Sequence, residues 1–225
     1  LDLLAVSIAS DIVPITGENR VLMFFGLKQL NANPSIGLQA IIDVCGLRGK
    51  EITVSDIVFK IGPRINASGR MRSGKEAVEL LISKDFTFAK EKSDCIDQYN
   101  EERKDLDKKT TGNAKDFIEG NEDFENKNSI VVYNPEWSKG VIGIVASRLS
   151  ELYYRPSIVM TLSDGFATGS ARSVSGFDIY KAIDSCRDLL ENFGGHMYAA
   201  GLTMKEEHVA EFTRRFDEFV TENIT

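Results

Sequence analysis

Three short segments combine glycine or alanine with Arg, Ser, Asn or His, the side chains that bind phosphate. They are GPRINASGR, GSARS and GGHMYAAG, beginning at Gly62, Gly169 and Gly194. Small residues let a phosphate approach the backbone, so its oxygens can accept hydrogen bonds from peptide N–H groups. Arginine adds a forked donor, and histidine can bond a phosphate or a leaving group. One glycine-rich turn is weak evidence, but three together predict a phosphate-bearing ligand.

Each of these residues also has a structural alternative. His196 in its glycine turn fits a structural hydrogen bond at least as well as a site role. Arg64 and Arg70 could pair with carboxylates such as Asp56, and Asp11 in SDIVP is by itself typical of a helix cap. The residues alone therefore leave these roles open.

No self-sufficient metal site is visible in the sequence. It contains no HExxH, no CxxC pair, no Asp/His cluster and no Walker loop. His208, in the amphipathic EEHVAEF, is predicted to be a solvated helix residue. A phosphodiesterase built on this chain would hold at most part of its metal site here.

Composition narrows the class of protein. The 225 residues suffice for one large or two small domains, and 42% hydrophobic with 27% charged residues is typical of a globular protein. The net charge of -7 excludes a nucleic-acid-binding polycation, so a phosphate site must be a local basic cluster. Cys45, Cys95 and Cys186 form no close pair, which favours a reducing, cytoplasmic location. No apolar run is long enough to span a membrane.

The elements that must position these residues fall into three parts. Residues 1–75 are predicted to be mainly helical, with a buried helix or strand at Leu1 to Ala9, a helix at Asn19 to Leu30 and GPRINASGRM as a loop. Residues 76–125 are predicted to form a connecting helix and linker, the alternative being a surface helix of one domain. One stripe of the helix should pack inward. Its members are Ala89, Ile96, Tyr99, Arg103, Leu106, Thr110, Ala114 and Phe117.

Residues 126–225 show an α/β pattern. SIVVY and SIVMT are β-branched runs typical of buried strands, with the helical VIGIVASRLSELY between them. ATGSARS predicts a strand running into a loop, and AAGLTM a further strand. Phe177 to Leu190 and Lys205 to Val220 are predicted helices. This order indicates a mixed sheet covered by helices.

The motifs, taken in order, closely resemble RecJ-type single-strand-specific exonucleases of the DHH phosphoesterase superfamily. They are SIASDIVPITGENR, GPRINASGRM, NPEWSKGVIGIVASRL, GSARSVSGFDIYKAI and FGGHMYAAGLT. GGHxxAAG marks a DHH-associated C-terminal domain that several families share, whereas SDIVP and PRINASGR are more specific. The sequence has no DHH triplet. The resemblance thus implies that 1–75 is the C-terminal part of a DHH domain, 76–125 a connector and 126–225 the associated domain.

The resemblance implies a 5'-to-3' exonuclease acting on single-stranded DNA in repair and recombination. Its chemistry would use two metal ions, Mn²⁺ or Mg²⁺. Most of the metal ligands would lie outside this chain, and Asp11 matches the last of them. The chain alone is therefore expected to be inactive. The implied partners are single-stranded DNA with a 5' end and a helicase or single-strand-binding protein, with no membrane.

The resemblance also implies roles for the other motif residues. Arg64 and His196 would be catalytic. The residues implied to bind substrate are Asn66, Arg70, Ser170, Arg172, Ser173, Gly194 and Gly195. The family often has His where this sequence has Ser138, so Ser138 is assigned no role.

Two alternatives stay open from the sequence. The first is another phosphodiesterase of the superfamily, acting on oligoribonucleotides or cyclic dinucleotides, which a substrate panel would reveal. The second is a non-catalytic nucleic-acid-binding module, which would bind DNA with a steep salt dependence and without cleavage.

Overall fold

A computed structural model describes residues 1–224 of the chain. The described residues form two compact units, Leu1–Lys104 and the part from Asp105 onward. Among these residues, no helix combines the length and the apolar character that crossing a membrane requires.

The first unit is helical, as predicted. Its elements are α1 (Asp2–Ser10), α2 (Gly17–Ala32), α3 (Ile36–Val44), α4 (Val54–Asp56), a π-helical turn (Ile57–Ile61), α5 (Gly62–Met71) and α6 (Gly74–Leu81). Their apolar faces share one core, in which Leu30, Leu38, Ile41, Ile57 and Leu80 are among the most buried side chains.

The prediction of a loop at GPRINASGRM was wrong, because this segment is helix α5. Pro63 is the second residue of α5 and has no N–H to donate, and the hydrogen-bonding pattern changes in the π-helical turn directly before it. Thr53 and Asp56 form a capping box at the start of α4, and the chain continues through the π-helical turn into α5. The Gly, Pro and Asn that suggested a loop therefore lie in a capped, continuous helical run.

Glycines allow the close packing of α1 against its neighbours. A Cβ on Gly26 would lie 2.5 Å from the Leu1 carbonyl oxygen and 2.7 Å from Ala5 Cβ. A Cβ on Gly62 would lie 2.6 Å from Ser10 Oγ. The start of α5 thus lies directly against the end of α1.

Helix α7 (Phe86–Glu119) extends from the first unit into the second. Its 34 residues make it about 50 Å long at 1.5 Å per residue. Ala89, Ile96 and Ala114 of the predicted stripe are buried. At the end of the stripe the prediction was wrong, since Phe117 is 60% exposed and Ile118 is buried instead.

The second unit is built on a five-stranded sheet in the order β1-β2-β3-β5-β4. The strands are β1 (Ile130–Tyr133), β2 (Ser157–Ser163), β3 (Phe166–Arg172), β4 (Leu190–His196) and β5 (Ala199–Met204). Strands β1 and β2 are parallel, and the other neighbours are antiparallel. The predicted mixed sheet is confirmed.

Helices cover the two faces of the sheet unequally. Helix α8 (Ile142–Tyr153) packs on one face through Val145 and Leu149, which share a core with Val132 and Val159. On the other face lie α9 (Ile179–Asp184) and α10 (Val209–Asn223), with Phe212 and Phe216 of α10 fully buried.

Two predicted boundaries in this unit were wrong. The helix expected over Phe177 to Leu190 is shorter, ending at Asp184, and a 3-10 turn, Arg187–Leu189, leads into β4, which had not been predicted. The closing helix begins at Val209 after a 3-10 turn. The strand predicted at AAGLTM is confirmed as β5.

Candidate functional site

In the second unit, the sheet face that α8 covers at β2 continues across β3 onto β5 and β4, where Gly201, Gly194 and His196 are exposed. Residues paired across antiparallel strands project to the same face. Arg172 of β3 pairs with Ala199 of β5, which pairs with His196 of β4. In the next row of that face, Ser170, Gly201 and Gly194 are paired in the same way. We call these six residues the open face.

Side-chain size divides the open face into a floor and two walls. Ala199, Gly201 and Gly194 form a floor that has almost no side chains. Ser170 and Arg172 line one side, and His196 lines the other. A Cβ on Gly194 would meet no atom within 4 Å, so the space above this strand is open. The face can therefore take a ligand close to the backbone.

Helix α8 borders the Ser170 and Arg172 side of the open face. A Cβ on Gly143, in the first turn of α8, would lie 3.0 Å from Ser170 Oγ and 3.2 Å from Arg172 Nη2. The absent side chain lets the helix N-terminus approach these donors. The partial positive charge of a helix N-terminus adds to the attraction of the guanidinium for an anion.

Hydrogen bonds hold the Arg172 guanidinium along its own strand. Nη1 donates to Ser170 Oγ at 2.9 Å and to the Ala171 carbonyl oxygen at 2.7 Å. The half-buried side chain is thus ordered before any ligand arrives, which lowers the conformational entropy lost on binding.

The hydrogen bond at His196 fixes its tautomer. Its Nδ1 lies 3.2 Å from the Tyr198 backbone nitrogen, whose N–H donates to it. A ring nitrogen that accepts carries no proton, so the neutral ring bears its proton on Nε2. His196 is exposed, and its Nε2–H can donate to an anionic oxygen.

Ser173 lies just beyond β3 and supports the hairpin turn. Its N–H donates to the Tyr198 carbonyl oxygen at 3.0 Å, and its Oγ donates to the Phe177 carbonyl oxygen at 2.6 Å. Ser150 Oγ in turn donates to the Ser173 carbonyl oxygen at 3.1 Å. These bonds give Ser173 a structural role, and its substrate-binding role stays a prediction.

Gly195 differs from Gly194 although the two are adjacent. It lies opposite Ala200, a residue of the core on the sheet face that α9 and α10 cover. Its φ is 155°, and an added Cβ would lie 2.3 Å from the Ala199 carbonyl oxygen. Gly195 is therefore required for the close approach of β4 to β5, and its predicted contact with substrate is untested.

In the first unit, Asp11 and Asn66 line one groove of about 360 Å³ between the end of α1 and α5. Both side chains are exposed. Carboxylate and amide oxygens are hard ligands that suit Mn²⁺ or Mg²⁺, so Asp11 fits a place as one ligand. Among residues 1–224, no group of three or more His, Cys, Asp or Glu side chains is placed to hold a metal ion.

The three predicted site residues of α5 point in two directions. Asn66 and Arg70 are four residues apart, so they share one helix face, and both are exposed. Arg64 is turned away from them. Its Nε donates to Asp97 Oδ1 of α7 at 2.6 Å, and its Nη1 donates to the Lys60 carbonyl oxygen at 2.9 Å. This ion pair joins α5 to α7, and the catalytic role of Arg64 stays a prediction.

Several site neighbours were missed from the sequence. Gly140 and Gly143 lie three residues apart at the start of a predicted helix. This spacing was a signal that the helix N-terminus approaches a neighbouring element closely. Tyr198 lies inside GGHMYAAG, whose glycines and histidine carried the prediction of a phosphate site. His208 was predicted to be solvated, but its Nδ1 lies 2.9 Å from the Leu189 carbonyl oxygen. Helix α10 is thereby joined to the segment before β4.

Comparison with known proteins agrees with these motifs. Residues 126–222, which include the whole open face, match the family model described as the DHHA1 domain. Over its full length, the chain is 38% identical to the single-stranded-DNA-specific exonuclease RecJ of Bacillus subtilis, with 227 residues compared and 29% of that protein covered. The predicted resemblance to RecJ is confirmed.

Two solved RecJ structures from Thermus thermophilus share the fold. The structure in complex with Mn²⁺ matches with a TM-score of 0.87 at 30% identity, covering 98% of this chain and 32% of that one. The structure in complex with Mg²⁺ gives a TM-score of 0.86 at 30% identity, covering 98% of this chain and 34% of that one. The chain spans about a third of the length of the RecJ proteins that it matches.

Proposed function

We propose that this chain is part of a metal-dependent 5'-to-3' exonuclease for single-stranded DNA and holds the phosphates of the strand. The observation that carries the proposal is the open face. There Ser170, Arg172 and His196 border a floor of glycine and alanine. An arginine fork, a hydroxyl and an imidazole N–H suit the oxygens of a phosphodiester.

The first unit would contribute to the metal centre. Asp11 would supply one carboxylate ligand to Mn²⁺ or Mg²⁺, and Asn66 would contact the substrate from the same groove. When bound, the metal ions would activate a water molecule and stabilise the charge of the leaving oxygen. Arg64 and Arg70 would add positive charge on α5.

The cellular setting follows from the same proposal. Such an exonuclease would act in repair and recombination on strands with a free 5' end, in the cytoplasm. A helicase or a single-strand-binding protein would supply or protect the single strand.

Binding of a 5'-phosphorylated oligonucleotide, with and without Mn²⁺, tests the proposal. Arg172→Ala and His196→Ala should each weaken binding by about tenfold, because each removes a hydrogen bond to an anionic phosphate oxygen of ~1.5 kcal/mol. Arg214→Ala is the matched control. It removes the same charge from α10, where Arg214 pairs with Glu211, and should leave the affinity unchanged. Equal effects of all three variants, or no binding by the wild type, would refute the role of the open face.

The predicted inactivity of the chain by itself needs a separate assay. Incubation with labelled single-stranded DNA and Mn²⁺ should release no mononucleotides, since one carboxylate does not make a two-metal site. A substantial Mn²⁺-dependent release would contradict the assignment of the remaining ligands to other parts of the enzyme. Including oligoribonucleotides and cyclic dinucleotides in the binding panel distinguishes the related phosphodiesterases.

A further inference from the structure

We propose that Tyr198 is a stacking surface for a nucleobase of the strand whose phosphate lies on the open face. The inference rests on the proposed function and adds to it a contact with the base, which the phosphate-binding residues do not supply. Stacking on an aromatic ring tolerates every base, since each base has a π-face.

Tyr198 is held in a rigid position. It is the second residue of the two-residue turn between β4 and β5. Its carbonyl oxygen accepts from the Ser173 N–H at 3.0 Å, and the carbonyl oxygen of Met197 accepts from the Ile179 N–H at 3.1 Å. Its own N–H donates to His196 Nδ1. A fixed backbone reduces the entropy that a stacking contact would cost.

The ring itself remains accessible. The Tyr198 side chain is 58% exposed, and it meets the His196 ring edge-on, with 6.2 Å between the ring centroids. The other aromatic residue of this hairpin, Phe193, is only partly exposed and packs on Tyr180 of α9 at 5.6 Å, on the opposite face of the sheet. Tyr198 is thus the hairpin ring beside the open face.

The distances suit one nucleotide. Arg172 on β3 and His196 on β4 are separated by β5, so their backbones lie roughly 10 Å apart at about 4.8 Å per strand. A base stacked on Tyr198 would have its sugar above Ala199 and Gly201, and its phosphate within reach of Arg172. The floor without side chains leaves room for that sugar.

The test compares Tyr198→Ala and Tyr198→Phe on two probes. The first probe is a 5'-phosphorylated single-stranded oligonucleotide, and the second is the same strand made entirely of abasic sites. We expect Tyr198→Ala to weaken binding of the first probe by about five- to tenfold, the effect of losing one stacked base. Tyr198→Phe keeps the ring and should bind within about twofold of the wild type. Neither variant should differ from the wild type on the abasic strand.

Controls separate this inference from the proposed function. Tyr154→Asn removes another exposed tyrosine, at a left-handed position that asparagine tolerates, and should not change binding. If Tyr198→Ala binds normally while Arg172→Ala binds weakly, the stacking role is wrong and the phosphate-binding role stands. An equal loss on the abasic strand would also overturn stacking. If the wild type and the Tyr198→Ala and Arg172→Ala variants all lack specific binding, both proposals fail.

Discussion

The two adjacent glycines of β4 should respond to alanine in opposite ways. Gly194 and Gly195 differ in the face of the sheet on which an added methyl group would lie, and of the two only Gly195 has a positive φ, 155°. At Gly194 it would enter the open face, where no atom lies within 4 Å. At Gly195 it would enter the contact with β5, 2.3 Å from the Ala199 carbonyl oxygen and 2.5 Å from Ala200 Cα.

The cost at Gly195 can be estimated from these distances. Non-bonded atoms prefer separations near 3.5 Å, so the methyl group would be roughly 1 Å too close to backbone atoms. Backbone cannot rotate away as a side chain can, and β5 is held on its other side by β3. Overpacking of about 3 kcal/mol, with roughly 1 kcal/mol for the φ of 155°, gives about 4 kcal/mol. Domains are stable by only about 5–15 kcal/mol, so this is a large fraction.

Urea unfolding and oligonucleotide binding together measure both effects. Gly195→Ala should lower the free energy of unfolding of the second unit by about 4 kcal/mol. Gly194→Ala should leave it unchanged or raise it by up to about 1 kcal/mol, because alanine loses less backbone entropy than glycine. The same Gly194→Ala variant should bind 5'-phosphorylated single-stranded DNA more weakly, since its methyl group occupies the floor of the open face.

Two results would refute this reasoning. Equal stability of the two variants would mean that β4 and β5 do not pack as described. A Gly194→Ala variant that folds and binds DNA as tightly as the wild type would mean that the ligand does not lie over this strand.

Three further predictions concern the first unit and α7. Gly62→Ala should cost about 1–2 kcal/mol in urea unfolding, because its Cβ would lie 2.6 Å from Ser10 Oγ, and adding Ser10→Gly should restore most of it. Gly112→Ala, at a helical position with no atom within 4 Å, should instead stabilise by about 0.5–1 kcal/mol in the same assay. Hydrogen bonds from Lys60 and then Thr53 lower the Asp56 pKa to about 2, so its carboxylate stabilises the fold above its usual titration range near 4. That stabilisation is lost as the pH falls toward 2, and an NMR titration of Asp56 with a midpoint near 4 would contradict it.

Two of the strands that the sequence predicted, β1 and β2, have residues packed into the cores on both faces of the sheet. SIVVY and SIVMT became β1 and β2 because consecutive β-branched residues suit a strand covered by helices on both faces. Strand β4 has the opposite character, since it lies at the sheet edge and most of its residues are exposed. Its glycines suggested a loop, and only pairing with β5 makes it a strand.

The sequence predicted individual residues of the open face, but it did not predict that they lie together on one face of the sheet. Arg172 and His196 were chosen from separate motifs, and nothing in either motif states that they share a row of the sheet. That relation comes from the register in which β3 and β4 each pair with β5. Each of these three strands begins or ends within a glycine motif. Long-range register depends on burial on the opposite face, which a local pattern does not contain.

Arg64 shows that a motif does not reveal the partners of its own residues. Its position in PRINASGR implied a catalytic role, yet its Nε and Nη1 already donate to Asp97 and to the Lys60 carbonyl oxygen. Asp97 lies 33 residues away on a surface that the sequence presents as one more charged helix face. Any contribution of Arg64 to catalysis would act from a guanidinium that Asp97 holds in place. Asp97 therefore belongs in any mutational study of this helix.

The glycines of the three motifs are the same residue type but have different physical roles. Those at 62 and 169 lie at packing contacts, against Ser10 and against Met160 with Leu202. Gly195 also packs, while Gly194 alone among these four faces open space. The glycine content of the motifs predicts that a phosphate can approach the backbone at all of them. Backbone that a neighbouring element already covers, however, cannot bind a phosphate. The face of the sheet or helix on which the missing side chain would lie therefore decides which glycine serves the ligand and which serves the fold.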